Sequence, residues 1–150
     1  MNSEFRTLDG YERIEKRALT RTMEDYLEMI CRLLKHEPAV RVQTLAKALN
    51  VRPSSVTKMI GQLAERGFLD YKPYAYLRLT PLGEAEGAYL LYRHDVLHDF
   101  LCLINGTKQE LKQVELIEHF FNKATVQNIE KLNHRLKAEQ MQQQIASSKE

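Results

Sequence analysis

The sequence predicts a mainly α chain: a winged helix-turn-helix domain with a two-stranded wing, followed by an all-helical domain. Apolar residues recur at helical spacing along most of the 150 residues. The period changes to two in one place, FLDYKPYAYLRLT (68–80). Turn chemistry divides the helical stretch before that segment into one long and two short pieces.

Residues 1–20 carry four acids, four bases and few apolar residues, and are read as an N-terminal extension, either a tail or an extra helix. From Thr22, read as a cap, Met23, Tyr26, Leu27, Ile30, Leu33 and Leu34 mark a helix that HEP (36–38) stops. VQTLAKALN (42–50) follows as a short helix, and VRPSS (51–55) as a turn with Pro53 near the next helix's first position. That helix, SVTKMIGQLAERG, ends at Gly67. Residues 68–80 form a hairpin around KPY. Thr80 and Pro81 then start a long helix that runs to about Ile104, and NGT (105–107) breaks it. Thr107 is read as the start of a helix containing VELIEHF (114–120), Asn122–Thr125 as an interruption, and the last helix as fading into QMQQQIASSKE. The domains are therefore placed at 21–80 and 81–142, with a polar tail at 143–150.

Composition narrows the function. There is no apolar run long enough to span a bilayer, and MNSEFRTLDG lacks the regions of a signal peptide, so a cytoplasmic protein without a membrane partner is expected. Cys31 and Cys102 are isolated, which argues against a disulfide framework or a zinc ribbon and for two buried thiols. The net charge of +2 hides a division. Residues 41–78 carry seven Lys/Arg against Glu65 and Asp70, whereas residues 81–121 carry seven Asp/Glu against Arg93, Lys108 and Lys112. A polyanion suits the first half and a cation the second.

A basic helix-turn-helix with a hairpin fits double-stranded DNA, its second short helix entering the major groove. Arg52, Pro53, Ser54, Ser55, Thr57, Lys58 and Gln62 lie where they can meet phosphates and base edges, while Val56, Met59, Ile60 and Leu63 face inward. On the hairpin, Lys72, Tyr74, Tyr76 and Arg78 are candidates for backbone or minor-groove contact. The bland alternative is a helix pair that serves only protein contacts.

In VELIEHF, Glu115, Glu118 and His119 stand at i, i+3 and i+4 and share one helical face. Leu111, Val114, Leu116, Ile117, Phe120 and Phe121 cover most of the rest. Four roles are open to the three polar residues. One is a satisfied polar cluster at a helix interface. A di-iron bundle wants paired Glu-x-x-His, and His119 is one position off that spacing. An HExxH hydrolase needs a second histidine that is absent. The fourth is a regulatory metal site. Asp25 and Glu28 share a face of the first long helix, and His94 lies on the helix between the halves. Together the six offer four carboxylates, two imidazoles and no thiolate, a set suited to Mn²⁺ or Fe²⁺. Four carboxylates repel one another when empty, which favours two divalent ions.

TMEDYLEMI (22–30), RPSSVTKMI (52–60), LLYRHDVLHDFL (90–101) and VELIEHF, in this order and spacing, resemble the manganese transport regulators of the diphtheria-toxin-repressor family. The resemblance covers about residues 22–140. It implies a winged-helix domain joined to a helical dimerisation domain, and a homodimer that represses metal-uptake genes when metal is plentiful. The six ligands of that family fall on Asp25, Glu28, His94, Glu115, Glu118 and His119, with Mn²⁺, two ions per subunit, as cofactor. The iron-responsive branch has methionine where Asp25 stands and cysteine where Glu115 stands, so manganese is favoured and Fe²⁺ is the alternative. The extension at 1–20 is longer than in that branch, and His98 stands where an acid is more usual. His94, His98 and Cys102 fall at i, i+4 and i+8: either a softer metal stripe, or Cys102 in the core with His98 as its polar neighbour. No enzyme activity and no small organic substrate are expected. The rivals are a metal-independent winged-helix regulator with an organic effector and a carboxylate-bridged metalloenzyme.

Overall fold

The computed structural model describes residues 7–14 and 17–149, so part of the extension expected at 1–20 lies outside the described residues. Helix α1 spans Leu8–Ile14. Helix α2 spans Arg21–His36 and is capped by Thr20 rather than Thr22. Thr20 has the extended backbone of a cap, and its hydroxyl accepts from the Met23 N–H at 3.2 Å, which satisfies an orphan donor of the first turn. The helix stops ahead of Pro38 because the residue before a proline is driven out of the α region.

Helices α3 (Val42–Leu49) and α4 (Pro53–Glu65) form the helix-turn-helix. Asn50 closes α3 in the left-handed conformation (φ 54), and Pro53 opens α4. Strands β1 (Leu69–Asp70) and β2 (Arg78–Leu79) pair antiparallel, Leu69 opposite Leu79 and Asp70 opposite Arg78. The ladder is shorter than the alternating sequence suggests, and residues 71–77 form its loop. Leu77 donates instead to the Val40 carbonyl at 2.8 Å, tying the wing to the chain before α3.

Helix α5 (Pro81–Asn105) is held at its start by Thr80, whose hydroxyl accepts from Gly83 N–H and donates to the Gly67 carbonyl. Glycine is required where α5 approaches its neighbours. A Cβ on Gly83 would meet the Phe68 carbonyl oxygen at 2.0 Å, and one on Gly87 the Cys31 sulfur at 2.1 Å. The close pass at Gly87 brings α5 against α2, and two turns further on His94 meets Glu28.

The segment after Gly106 begins its helix later than Thr107. Asn105 and Thr107 both donate to the Glu110 carboxylate, which folds 105–110 into a loop, and α6 spans only Leu111–Ile117. A 3₁₀ turn, Glu118–Phe120, follows, so VELIEHF is not one α-helix. Helix α7 (Lys123–Ser147) is capped by the Asn122 side chain and continues into the segment read as a polar tail. It packs along α5, where Asn133 donates to the Val96 carbonyl at 2.9 Å.

One apolar core, including Leu27, Ile30, Val40, Leu45, Val56, Ile60, Leu63 and Leu90, joins α2–α4, the wing and the start of α5. A smaller one holds Leu97, Leu101 and Val114. Val114 is the only fully buried apolar residue of the α6 segment, and Leu111, Leu116 and Phe120 are exposed. Cys31 is buried, whereas Cys102 is only half-buried. No described helix is long and apolar enough to cross a membrane.

Candidate metal centre

All six candidate ligands converge where α2, α5, α6 and the 3₁₀ turn meet. Donor atoms of Glu28, His94, Glu115 and Glu118 lie within 4.8 Å of one another, and so do those of Asp25, Glu118 and His119. Glu118 belongs to both groups. Its Oε2 is 3.1 Å from His94 Nδ1, and its Oε1 is 4.0 Å from His119 Nε2. His94 Nδ1 is also 3.5 Å from Glu28 and 3.7 Å from Glu115, while His119 Nε2 is 2.9 Å from Asp25 Oδ1. Glu118 is 0% exposed and its Oε1 has no hydrogen-bond partner. A buried carboxylate oxygen without a donor is costly unless a cation meets it, so the donor set fits a divalent metal.

The protonation pattern is that of a site crowded with negative charge. Burial, and then the Glu118 charge, push the Glu28 carboxyl up to about 7. The same two causes raise Glu115, whose side chain is 46% exposed. The hydrogen bond to Glu118 raises His94 against the pull of burial. Burial alone would lower His119, but its bonds to Asp25 and Glu24 push it up to about 9. A proton on any of these groups competes with a metal for the same donor atom.

Two residues that sequence reasoning missed complete the surroundings. Glu24 Oε1 lies 3.0 Å from His119 Nδ1, and Glu24 Oε2 accepts from Arg93 Nη1 at 3.2 Å. Burial would raise the Glu24 carboxyl, but His119 and Arg93 overrule it and hold it below its ordinary value. Arg93 did carry a signal: it is a charge on the same helical face as buried Leu90 and Leu97. Arg32 also holds Glu28, at 3.0 Å. From the extension, Arg17 donates to the His119 carbonyl, and both Arg17 and Arg21 lie over the Phe120 ring.

His98 and Cys102 belong to neither donor group among the described residues. The His98 ring stacks parallel to that of His94 with centroids 6.4 Å apart, but its Nε2 faces Gln109 Oε1 at 2.7 Å and the Glu110 N–H at 3.3 Å. It thereby supports the start of α6. Cys102 Sγ lies 3.7 Å from the same ring.

On the other half, Arg52, Pro53, Ser54, Ser55, Thr57 and Lys58 are exposed along the start of α4, and Gln62 is half-buried. Thr57 spends its hydroxyl hydrogen on the Pro53 carbonyl at 3.0 Å. Lys72, Tyr74, Tyr76 and Arg78 are exposed on the wing, with Tyr74 97% exposed at the loop tip. Between α4 and the wing lies a groove of about 470 Å³, and Arg41, on its rim, stacks 4.5 Å from the Tyr76 ring centre. Arg41 was not among the residues expected at this face.

The family described as iron dependent repressor, N-terminal DNA binding domain, matches residues 18–77. The HTH-type transcriptional regulator MntR of Geobacillus kaustophilus (strain HTA426) is 45% identical over 101 residues, which are 67% of this chain and 72% of the relative. MntR of Bacillus subtilis (strain 168) is 40% identical over 111 residues, 73% of this chain and 78% of the relative. Among solved structures, the metal-dependent transcriptional regulator MtsR superposes with a TM-score of 0.68 at 26% identity, covering 76% of this chain and 54% of that one. A manganese-dependent transcriptional repressor in complex with manganese has the same TM-score at 24% identity, covering 75% and 52%, and bears on the fold alone. The chain spans about half the length of these solved regulators. The curated relatives are transcriptional regulators. At 40–45% identity over more than two thirds of those relatives, the chain belongs to the MntR family of HTH-type transcriptional regulators, a family of metal-dependent DNA-binding repressors.

Proposed function

We propose that the chain is a manganese-responsive repressor of metal-uptake genes that binds operator DNA as a homodimer and takes two Mn²⁺ per subunit. The observation that carries this is the convergence of six side chains from two halves of the chain in two groups that share the fully buried Glu118, one of whose carboxylate oxygens has no hydrogen-bond partner. Glu28, His94, Glu115 and Glu118 would hold one ion, and Asp25, Glu118 and His119 the other. Oxygen-rich donors without thiolate suit Mn²⁺, and carboxylates at Asp25 and Glu115 favour it over Fe²⁺. Bound metal supplies the positive charge that these carboxylates otherwise lack.

With that charge present, the repulsion of Asp25 and Glu28 on α2 by Glu115 and Glu118 would be offset, and α2 would be held against α5 and the 3₁₀ turn. Helix α2 is the base on which α3 and α4 pack, so fixing it fixes the recognition helix. In a two-fold dimer this sets the separation of two α4 helices, which must match major grooves about 34–36 Å apart or a multiple of it. Exposed Leu111 and Leu116 support a dimer by offering apolar surface on the helical half. The exposed hydroxyl and basic residues of α4 and the wing support DNA contact, with Lys58 and Arg52 as phosphate partners. Domains 21–80 and 81–142 would then be the reader and the sensor.

The test is a titration with Mn²⁺, Fe²⁺ and Zn²⁺, read as binding to a duplex selected from a random pool. Mn²⁺ should tighten binding by roughly 5–150-fold. Glu115→Ala should abolish that gain while the metal-free protein keeps its melting temperature. Equal affinity with and without Mn²⁺ sinks the mechanism, and a larger response to Fe²⁺ turns the sensor into an iron-responsive one.

A further inference from the structure

We infer that Glu24, anchored by Arg93, is a positioning residue that fixes the tautomer of His119 and so directs its Nε2 to metal. This rests on the metal reading above. His119 presents two nitrogens to two different neighbours. Nε2 faces Asp25 Oδ1 and the Glu118 carboxylate, the donors with which it would share an ion. Nδ1 faces Glu24 Oε1 at 3.0 Å, with Arg93 Nη2 further off at 3.4 Å.

An imidazole nitrogen ligates metal only through its lone pair, so Nε2 must be bare and the proton must sit on Nδ1. Glu24 enforces this. An ionised carboxylate only accepts, and against a bare Nδ1 it would set two lone pairs 3.0 Å apart. Arg93 pulls the other way, because a guanidinium only donates and would favour a bare Nδ1. The carboxylate prevails: it is the closer partner, and its second oxygen engages Arg93 Nη1 at 3.2 Å. Glu24 is 8% exposed and Arg93 4%, so water does not compete for either. The pair also spans the two halves, since Glu24 is on α2 and Arg93 on α5.

Glu24→Gln tests the inference with almost no change in shape. Arg93 can only donate, so it claims the amide oxygen, and the amide NH₂ turns toward His119 Nδ1. Nδ1 must then accept, and the proton moves to Nε2, where metal would bind; an amide beside a histidine is known to select the wrong tautomer in this way. Mn²⁺ affinity at the Asp25, Glu118 and His119 group should fall about 10–100-fold. The Glu28, His94, Glu115 and Glu118 group should change far less. Followed by the electron spin resonance of free Mn²⁺, two tight binding steps should become one tight and one weak.

If Glu24 only joined α2 to α5, the glutamine variant would bind both ions like wild type, or lose both equally as the interface loosened. Either result overturns the inference. A second measurement does not depend on any variant folding. In wild-type protein loaded with Cd²⁺, the ¹⁵N spectrum of His119 should show a protonated Nδ1 and a metal-shifted Nε2, and a proton on Nε2 would overturn the assignment. Wild-type protein that binds neither Mn²⁺ nor Cd²⁺ would overturn the metal reading as well as this one.

Discussion

The DNA-reading half packs α2, α3, α4 and the wing around an apolar core in which Leu27, Ile30, Leu45, Val56, Ile60 and Leu63 are fully buried. Where α2 meets α5 and the 3₁₀ turn, the buried side chains are instead Glu24, Glu28, Arg93, His94, Glu118 and His119. The first set is complete in itself, because apolar burial needs no partner beyond the chain. The second is not, because its carboxylates press on one another and Glu118 Oε1 has no donor. A regulator gains from this division. Under the proposed function, the apolar reader needs nothing from outside, and the joint that aims it is the part an outside cation would complete.

The comparison breaks most visibly at Glu118, the side chain common to both donor groups. Glu118→Gln removes one buried charge with little change in volume. Metal affinity should fall by more than the roughly 10–100-fold that losing an outer supporting residue costs, and the Mn²⁺-dependent gain in DNA binding should vanish. The metal-free protein should melt no lower than wild type, since a carboxylate that repels Glu28 and Glu115 is gone. Calorimetric titration and thermal melts read the two halves of this prediction. A large fall in metal-free stability would mean that the cluster is a self-sufficient ion network rather than an incomplete one.

Ile60 tests the opposite region. It is 0% exposed on α4, beneath the exposed residues proposed to face DNA. Ile60→Ala should cost about 2–5 kcal/mol of stability by leaving a cavity in the apolar core. Mn²⁺ affinity of the folded protein should stay within about twofold, because sites that share no partner act independently. An equal loss at both would show that the two regions are one cooperative unit.

Much of this was legible in the sequence because local chemistry governs it. Pro53 at the head of α4, Thr80-Pro81 at the head of α5 and Gly106 at its end (φ 63) each act through the nearest turn. Choosing between Thr20 and Thr22 as cap was beyond pattern alone, since both precede apolar helical residues, and only the hydroxyl that reaches the third amide decides. The break after Ile117 was hidden too: VELIEHF keeps helical spacing, but the chain tightens to 3₁₀ geometry before Asn122 starts α7. Glu24 and Arg93 lay inside motifs already singled out, yet their partners are 95 and 69 residues away. A pairing of that length is written in the packing of α5 on α2, which a single chain's periodicity does not encode.

The smallest expected effect sharpens the comparison through pH. Glu28 is raised to about 7 from its ordinary 4.5, so between those values the folded chain holds a proton that the unfolded chain has released. Stability of the metal-free protein therefore falls as pH rises from 4.5 to 7. His119 is raised to about 9 from 6.5; its contribution is fully present below 6.5 and is lost as pH climbs through 9. Glu24, held below its ordinary value, has the opposite sign and matters only as pH drops under 4.5. Glu28 acts in the lower part of the range from pH 5 to 9 and His119 in the upper part. Glu115 and His94 are raised in the same direction, and the melting temperature in chelator should decline, by about 2–4 °C for each kcal/mol lost. Over the same window the upward shift on adding Mn²⁺ should grow, because each proton that leaves Glu28 or His119 frees a donor. Melts in parallel with chelator and with Mn²⁺ should therefore diverge as pH rises. Parallel curves would mean that these protons and the metal do not compete, and the joint between the halves would then owe nothing to its unsatisfied charge.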